Sequence, residues 1–334
     1  MDNILLTGGF GYIGSHTASV LAEKGLNFVI FDNFSNCKKS IIYRLEKLIN
    51  KKINYVNGDI RDTNKLINTI KENQISSVIH FAALKSVEDS IFDPIKYYET
   101  NVSGTISLLN AMKKTDINKL VFSSSATIYG EPEYLPIDEK HPIQAINPYG
   151  DSKLIVENIL RNLAQFDEKW SITCLRYFNP IGAHNSGLIG DDPLDDRSQN
   201  IVPSIIKVIN GSKFHLEIFG DDYDTKDGTG VRDYIHILDI ADAHVEALNF
   251  LENSKGIEIF NLGTGNGFTV MELVKAFEGI IKTKIPKKII KRRKGDVSSC
   301  YADPTRANNI LKWRSKYELN DMCLSAWNFS KNNY

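Results

Sequence analysis

Long apolar runs are missing from these 334 residues, as are a basic leader and a small-residue cleavage site; the opening "MDNILLTGGF" passes at once into a strand pattern. Neither a membrane span nor an export signal is read here, so a cytoplasmic location is expected. Cysteine is scarce and scattered. Cys37, Cys174, Cys300 and Cys323 form no Cys-x-x-Cys pair, which argues against a disulfide framework or a zinc site and leaves reduced thiols. Charge of one sign is not in excess either: 40 Lys and Arg stand against 41 Asp and Glu, a formal net charge of −1. No global field then draws nucleic acid or an anionic membrane to the surface, and any anionic ligand must be held locally. Internal repeats and low-complexity tracts are absent too. With 42% hydrophobic and 24% charged residues, the composition is that of a globular protein with a sizeable core, not a fibrous or disordered one.

What the chain does contain is alternation. Short β-branched runs at 3–7, 27–31, 53–56, 77–82, 119–124 and 172–177 are separated by helical patterns near 13–24, 40–50, 63–73, 94–114 and 149–166. That order predicts an α/β fold, a Rossmann-type doubly wound parallel sheet with helices on both faces. The rhythm breaks at "FNPIGAHNSGLIGDDPLDDRSQN", a stretch of turn-forming residues. A domain transition is therefore expected there: residues 1–178 form the dinucleotide domain, with segments near 231–262 returning to it. Residues 179–230 and 263–334 make a smaller C-terminal α/β substrate-binding lobe.

"TGGFGYIGSH" follows the first strand and opens the first helix, with Gly8, Gly11 and Gly14 spaced for a tight turn and close approach to a pyrophosphate. Alone, such a turn is equally an ordinary strand-to-helix connection. The second strand ends in Asp32, where a carboxylate would bind adenosine ribose hydroxyls and repel a 2′-phosphate, favouring NAD over NADP. Asp59, after the third strand, is a candidate adenine contact.

In "NPYGDSK", Asn147-Pro148 reads as a helix start, and Tyr149 and Lys153 are four residues apart on one face. The fifth strand ends in Ser123-Ser124-Ser125-Ala126-Thr127, which brings hydroxyls to the same sheet edge. A phenol working as a base near pH 7 must shift by about 3 units from its ordinary value of about 10, or roughly 4 kcal/mol. A cation about 4 Å away supplies a Coulomb energy of that order at an effective dielectric of about 20. Lys153 and a positive nicotinamide are the two candidate sources, and Ser125 can carry the proton of a reacting hydroxyl to Tyr149. An isolated Tyr-x-x-x-Lys is usually an unremarkable surface pair. Here it accompanies a glycine fingerprint, an acidic strand end and a hydroxyl cluster in the expected order. His80 and His236 lie in strand patterns and are read as satisfying local hydrogen bonds, with no metal site.

These residues resemble the extended short-chain dehydrogenases and, within them, the UDP-glucose (UDP-galactose) 4-epimerases. "TGGFGYIGSHT", "GDIRD", "HFAALK", "NVSGT", "FSSSATIYG", "NPYGDSK", "RYFNPIGAH", "GTGVRDYIH" and "NLGTG" carry the likeness over nearly the whole chain. The resemblance implies an isomerase of galactose metabolism that holds NAD tightly. Tyr149 removes the 4-hydroxyl proton as hydride leaves carbon 4, the 4-keto sugar turns, and hydride returns to its other face. Ser125, Tyr149 and Lys153 are the implied catalytic set. Implied cofactor contacts are Gly8, Gly11, Tyr12, Ile13, Gly14, Asp32, Asn33, Ser35, Asn36, Asp59, Ile60, Phe81, Ala82, Ala83, Lys85, Ser125, Tyr149, Lys153 and Phe178. The sugar nucleotide is assigned Lys85, Ser125, Thr127, Tyr149, Tyr177, Asn179, Asn200, Ile218, Phe219, Arg232, Arg293, Asp296 and Cys300.

The basic run "KKIIKRRKGD" thus becomes a diphosphate site through Arg293, with Arg232 as a second clamp, in place of a solvated face or a nucleic-acid patch. A tyrosine at the Cys300 position in some relatives restricts the sugar's carbon-2 substituent. Cysteine leaves room, so UDP-N-acetylhexosamines are expected as additional substrates; the alternative is an inert buried thiol. Asp151 replaces a common lysine and is expected to face solvent, and Thr100 stands where some relatives carry asparagine. A homodimer through the helices near 94–114 and 149–166 is also implied. The competing readings are a nucleotide-sugar dehydratase or decarboxylase, and a non-catalytic dinucleotide-binding scaffold. The resembling dehydratases carry Asp-Glu after the hydroxyl residue, where this chain has Ala126-Thr127.

Overall fold

The computed structural model describes residues 3–192, 200–293 and 295–333. Its first part alternates β1 (Asn3–Thr7), α1 (Tyr12–Glu23), β2 (Asn27–Asp32), α2 (Ser40–Ile49), β3 (Tyr55–Asn57), α3 (Thr63–Glu72) and β4 (Ile75–His80). It continues through α4 (Val87–Phe92), α5 (Pro94–Tyr97), α6 (Gly104–Lys114), β5 (Lys119–Ser125), α7 (Pro148–Phe166) and β6 (Ser171–Tyr177). Beyond these come β7 (Asn179–Ile181), α8 (Ile201–Ile209), β8 (Leu216–Phe219), β9 (Val231–Arg232), β10 (Tyr234–His236), α9 (Ile237–Leu251) and β11 (Gly256–Leu262). The last elements are β12 (Phe268–Thr269), α10 (Val270–Ile281), β13 (Lys287–Ile290), β14 (Ser299–Cys300) and α11 (Leu319–Asn333).

Seven strands form one sheet in the order β11-β6-β5-β4-β1-β2-β3, every pair parallel. Successive strand residues point to opposite faces, and both faces are apolar. Leu6, Ile30, Ile79, Val121 and Leu175 pack with α1 and α9 on one side. Leu5, Val29, Val78, Leu120 and Cys174 pack with α3, α6 and α7 on the other. A separate core of Ile205, Leu216, Ile218, Phe277 and Met322 fills the C-terminal part. β11 joins the sheet beside β6 although about 80 residues intervene, and α9 lies against α1.

Two local departures bear on the site. The helical pattern near 94–114 is not one α-helix: α5 passes through a wider π turn at Tyr98–Ser103 before α6 begins. That turn aims Asn101 inward, where its amide accepts from Leu84 N at 2.8 Å and donates to Leu84 O at 3.1 Å and Ser152 Oγ at 3.0 Å. The second departure is α4, in a segment the periodicity left unassigned; it is capped by Ser86, which accepts from Asp89 N. No helix among the described residues is long and apolar enough to cross a membrane.

Candidate active site

The C-terminal ends of β1, β2 and β4 open onto a cleft of about 790 Å³. Gly8 has φ +69°, and a Cβ there would stand 2.7 Å from the Ala82 backbone, so only glycine fits the turn. A Cβ on Gly14 would meet Gly8 O at 2.6 Å, which is why α1 can start so close to the strand. Gly11 caps α1 without a side chain, leaving the first-turn N–H groups without a side-chain cap beside the cleft that Tyr12, Ile13 and Gly14 line. A helix N-terminus in that state suits a phosphate group. At the end of β2, Asp32 accepts from Phe10 N at 3.0 Å and Phe34 N at 2.8 Å. Burial raises its carboxyl above the usual value, and the two N–H donors oppose the rise. The glycine turn, the helix terminus and the acidic strand end together fit a dinucleotide.

Asn33, Ser35, Asn36, Ile60, Phe81, Ala82, Ala83 and Lys85 also line this cleft, as does Thr100. Asp59 stands between two residues that line it, Gly58 and Ile60. Its carboxylate is taken by Arg61 at 2.8 and 2.9 Å and by Asn33 at 3.1 Å, and the Arg61 bonds hold its pKa down to about 2.

At the inner end of the cleft lie Ser125, Tyr149 and Lys153, which are 6%, 7% and 3% exposed. Asn147 caps α7 by accepting from Gly150 N at 2.9 Å, and Pro148 opens the helix, so Tyr149 and Lys153 sit in its first turns. Lys153 Nζ donates to Ser123 O at 2.8 Å and stands 5.0 Å from the centre of the Phe122 ring. Ser125 Oγ accepts from Thr127 Oγ1 at 2.9 Å and Thr127 N at 3.2 Å, which leaves its own proton to donate into the site. Burial pushes the Tyr149 phenol up, and the Ser125 hydroxyl acts in the opposite direction. Burial also draws Lys153 down to about 8, against the pull of Glu157. In this setting Tyr149 is a neutral phenol, and further positive charge is required to make it a base.

Asp151 is not the solvent-facing residue expected from its position. It is half-buried and accepts from Tyr98 Oη at 2.7 Å, tying α7 to the π turn. His80 sits between Thr7 and Thr105 at 2.6 and 2.9 Å, and His236 is 3.0 Å from Ser325, both in local networks.

Ser125, Thr127, Tyr177, Phe178, Asn179 and Asn200 are shared with a second cleft of about 770 Å³ reaching into the C-terminal lobe. Phe219, Arg232, Arg293, Asp296 and Cys300 line its far wall. The Arg293 guanidinium lies 3.6 Å from the centre of the Phe219 ring. Arg232 is 3.8 Å from Asp296, and Cys300 is its β-ladder partner. Burial pushes the Cys300 thiol up to about 11, so it is a neutral wall residue. Ile218 packs into the lobe's core at 1% exposure, because alternate residues of β8 point to opposite sides.

Sequence reasoning missed a group of ion pairs among residues that line the second cleft. Asp192 meets Lys38 at 2.7 Å and Arg44 at 3.0 Å, and Asp191 meets Lys85 at 3.8 Å. The adjacent acids in "LIGDD" are the only local signal, and nothing nearby in the chain names partners some 150 residues away. Residues 193–199 of that loop-rich stretch, and Lys294 in the basic run, lie outside the described residues.

The family model described as GDP-mannose 4,6 dehydratase matches residues 5–325. Among curated proteins, the UDP-glucose 4-epimerase of Bacillus subtilis (strain 168) is 46% identical over 330 residues, covering 99% of this chain and 97% of the relative. The Homo sapiens UDP-glucose 4-epimerase is 45% identical over 339 residues, again covering 99% and 97%. The crystal structure of the Bifidobacterium longum UDP-glucose 4-epimerase in complex with NAD+ and UDP matches with a TM-score of 0.96 at 43% identity, covering 99% of this chain and 98% of that one. A Stenotrophomonas maltophila UDP-glucose-4-epimerase with bound NAD and formylated UDP-arabinopyranose gives 0.97 at 43% identity, with the same coverage. Within the broad group that includes the dehydratases, full-length likeness to the epimerases and the absence of a carboxylate at Ala126-Thr127 point the same way: this chain belongs to the UDP-glucose 4-epimerases of the extended short-chain dehydrogenase family.

Proposed function

We propose that the protein interconverts UDP-galactose and UDP-glucose by epimerisation at carbon 4. The carrying observation is that a dinucleotide-type cleft and an arginine-lined cleft share Ser125 in their walls, with buried Tyr149 and Lys153 lining the first. NAD, held along α1 and Asp32, supplies reversible hydride acceptance and a positive ring. Tyr149 takes the 4-hydroxyl proton, Ser125 hydrogen-bonds the reacting oxygen, and Lys153 stabilises the phenolate. Arg232 and Arg293 hold the diphosphate, so the nucleotide stays anchored while the 4-keto sugar turns.

The same reading extends to finer features. Residues 1–178 with the returning 231–262 hold the cofactor, and the remaining segments hold the sugar nucleotide. Cys300 leaves space for an acetamido group, so UDP-N-acetylglucosamine and UDP-N-acetylgalactosamine are substrates too. Exposed Phe92, Ile95 and Ile106 on α4 to α6 support a homodimer contact beside α7. The protein works in the cytoplasm.

The test is to incubate purified protein with UDP-galactose, with and without added NAD, in heavy water. UDP-glucose carrying no solvent deuterium is expected. Deuterium in the sugar would indicate dehydration chemistry, and no conversion even with NAD would overturn the proposal.

A further inference from the structure

One buried side chain reaches the catalytic cluster from an element to which the reaction assigns no role. His244, in the middle of α9, is fully buried. Its Nδ1 lies 2.8 Å from Ile240 O, and a carbonyl only accepts, so Nδ1 carries the proton and Nε2 is an acceptor. Nε2 is 3.0 Å from Ser123 Oγ, which therefore donates to it. The carbonyl of that same Ser123 receives Lys153 Nζ at 2.8 Å. Side chain and backbone of one residue thus link α9 to the catalytic cation.

The need for such a link lies in the sheet. The β4–β5 ladder ends at His80 and Phe122, whereas β6 continues to pair with β5 through Leu175 opposite Ser123. Past its last rung on the β4 side, Ser123 is held by the sheet from one side only. Adjacent Ser124 points to the opposite face and donates to Glu157 Oε1 at 2.6 Å, which is itself paired with Arg176 at 2.6 Å. The strand end is gripped from above and below, by α9 and by α7. The His244 ring also packs 4.8 Å from Phe81 and 6.3 Å from Tyr177, centre to centre, and both of these line the cofactor cleft.

We propose that His244 is a positioning residue for the epimerisation: locked in its Nδ1–H tautomer by Ile240, it fixes Ser123 so that the Ser123 carbonyl seats the Lys153 ammonium beside Tyr149. The inference rests on the proposed function. It makes α9 part of the catalytic support through a hydrogen bond, beyond its role in covering the sheet.

The test uses purified holoenzyme and measures kcat, KM for UDP-galactose and the amount of NAD released on denaturation. His244→Leu, which fills the space without an acceptor, is expected to lower kcat about tenfold, with KM within about twofold and NAD content unchanged. His244→Gln, whose side-chain carbonyl can accept from Ser123, recovers most of the loss. Ser123→Ala keeps the backbone carbonyl but removes the donor; it reproduces the fall in kcat and decides the matter if the His244→Leu chain does not fold. A Ser123→Ala enzyme with wild-type kcat would overturn the proposal, as would His244→Gln and His244→Leu enzymes impaired equally. Failure of the underlying reading is distinguishable, because the wild-type protein itself would then leave UDP-galactose unchanged.

Discussion

Lys153 and Arg232 are cations that line two adjoining clefts, yet they are housed in opposite ways. Lys153 is 3% exposed, gives its Nζ to a backbone carbonyl, and is drawn down to about 8 by burial. The Arg232 side chain is 18% exposed, with the Asp296 carboxylate 3.8 Å away and 36% exposed. A cation in a dry, low-dielectric setting exerts strong leverage on a neighbouring phenol but is costly to keep charged. One at the edge of solvent keeps its charge easily and suits phosphate oxygens, though it gains less per contact. On the proposed function, the chemistry occupies the first environment and the anchoring the second.

Removing the phenol should break the buried side of this comparison most severely. Tyr149→Phe is expected to lower kcat by roughly 10²- to 10⁴-fold, the usual range for a lost general acid–base group, with NAD still bound after gel filtration. On the wetter side, Arg293→Ala removes the guanidinium stacked on Phe219. Steady-state kinetics should show KM for UDP-galactose rising about 10- to 100-fold while kcat stays within about threefold, as expected for lost charge-assisted anchoring. Equal losses of kcat in both variants would erase the distinction.

The far wall of the second cleft is probed by Cys300→Tyr. Turnover of UDP-N-acetylglucosamine is expected to fall at least about tenfold relative to UDP-glucose, the size of discrimination that filling a pocket achieves. Unchanged acetamido-sugar turnover would remove Cys300 from the specificity argument.

The last test is a pH dependence of opposite sign in two measurements. Lys153 has a folded pKa of about 8 against an ordinary 10.5, so between those values the unfolded chain binds more protons than the folded one. Its contribution to stability therefore rises with pH across that window, by up to about 1.4 kcal/mol per pH unit. Activity that depends on the ammonium falls over the same range. The difference in urea midpoint between wild type and Lys153→Met should rise with pH across that window, and the wild-type kcat profile should show the fall.

Much of this was legible in the chain. Six of the seven sheet strands were read within a few residues, because short β-branched runs between amphipathic helices leave few alternatives. The α7 start was legible from Asn147-Pro148, and α7 does begin at Pro148 with Asn147 as its cap. Other features were not. The π turn at Tyr98–Ser103 follows from Asn101 bonding Leu84 and Ser152, contacts that have no local period. That Arg61 and Asn33 both bond the Asp59 carboxylate is likewise set by how the loops fold back. Ile218 and Phe219 are adjacent in sequence, and only the side to which β8 turns decides which of them meets the cleft.

By itself, then, the sequence determined the features governed by near neighbours: the glycine turn before α1, the acidic end of β2, the one-turn spacing of Tyr149 and Lys153, and the hydroxyl run closing β5. These depend on backbone sterics and on periods of two or 3.6 residues, which short stretches carry whole. Only the tertiary structure decided that Lys153 is dry, that its ammonium rests on the Ser123 carbonyl, that His244 reaches that serine from α9, and that Asp192 meets Lys38 and Arg44. Burial and long-range hydrogen bonds set those states, and both arise from where the sheet brings distant segments together.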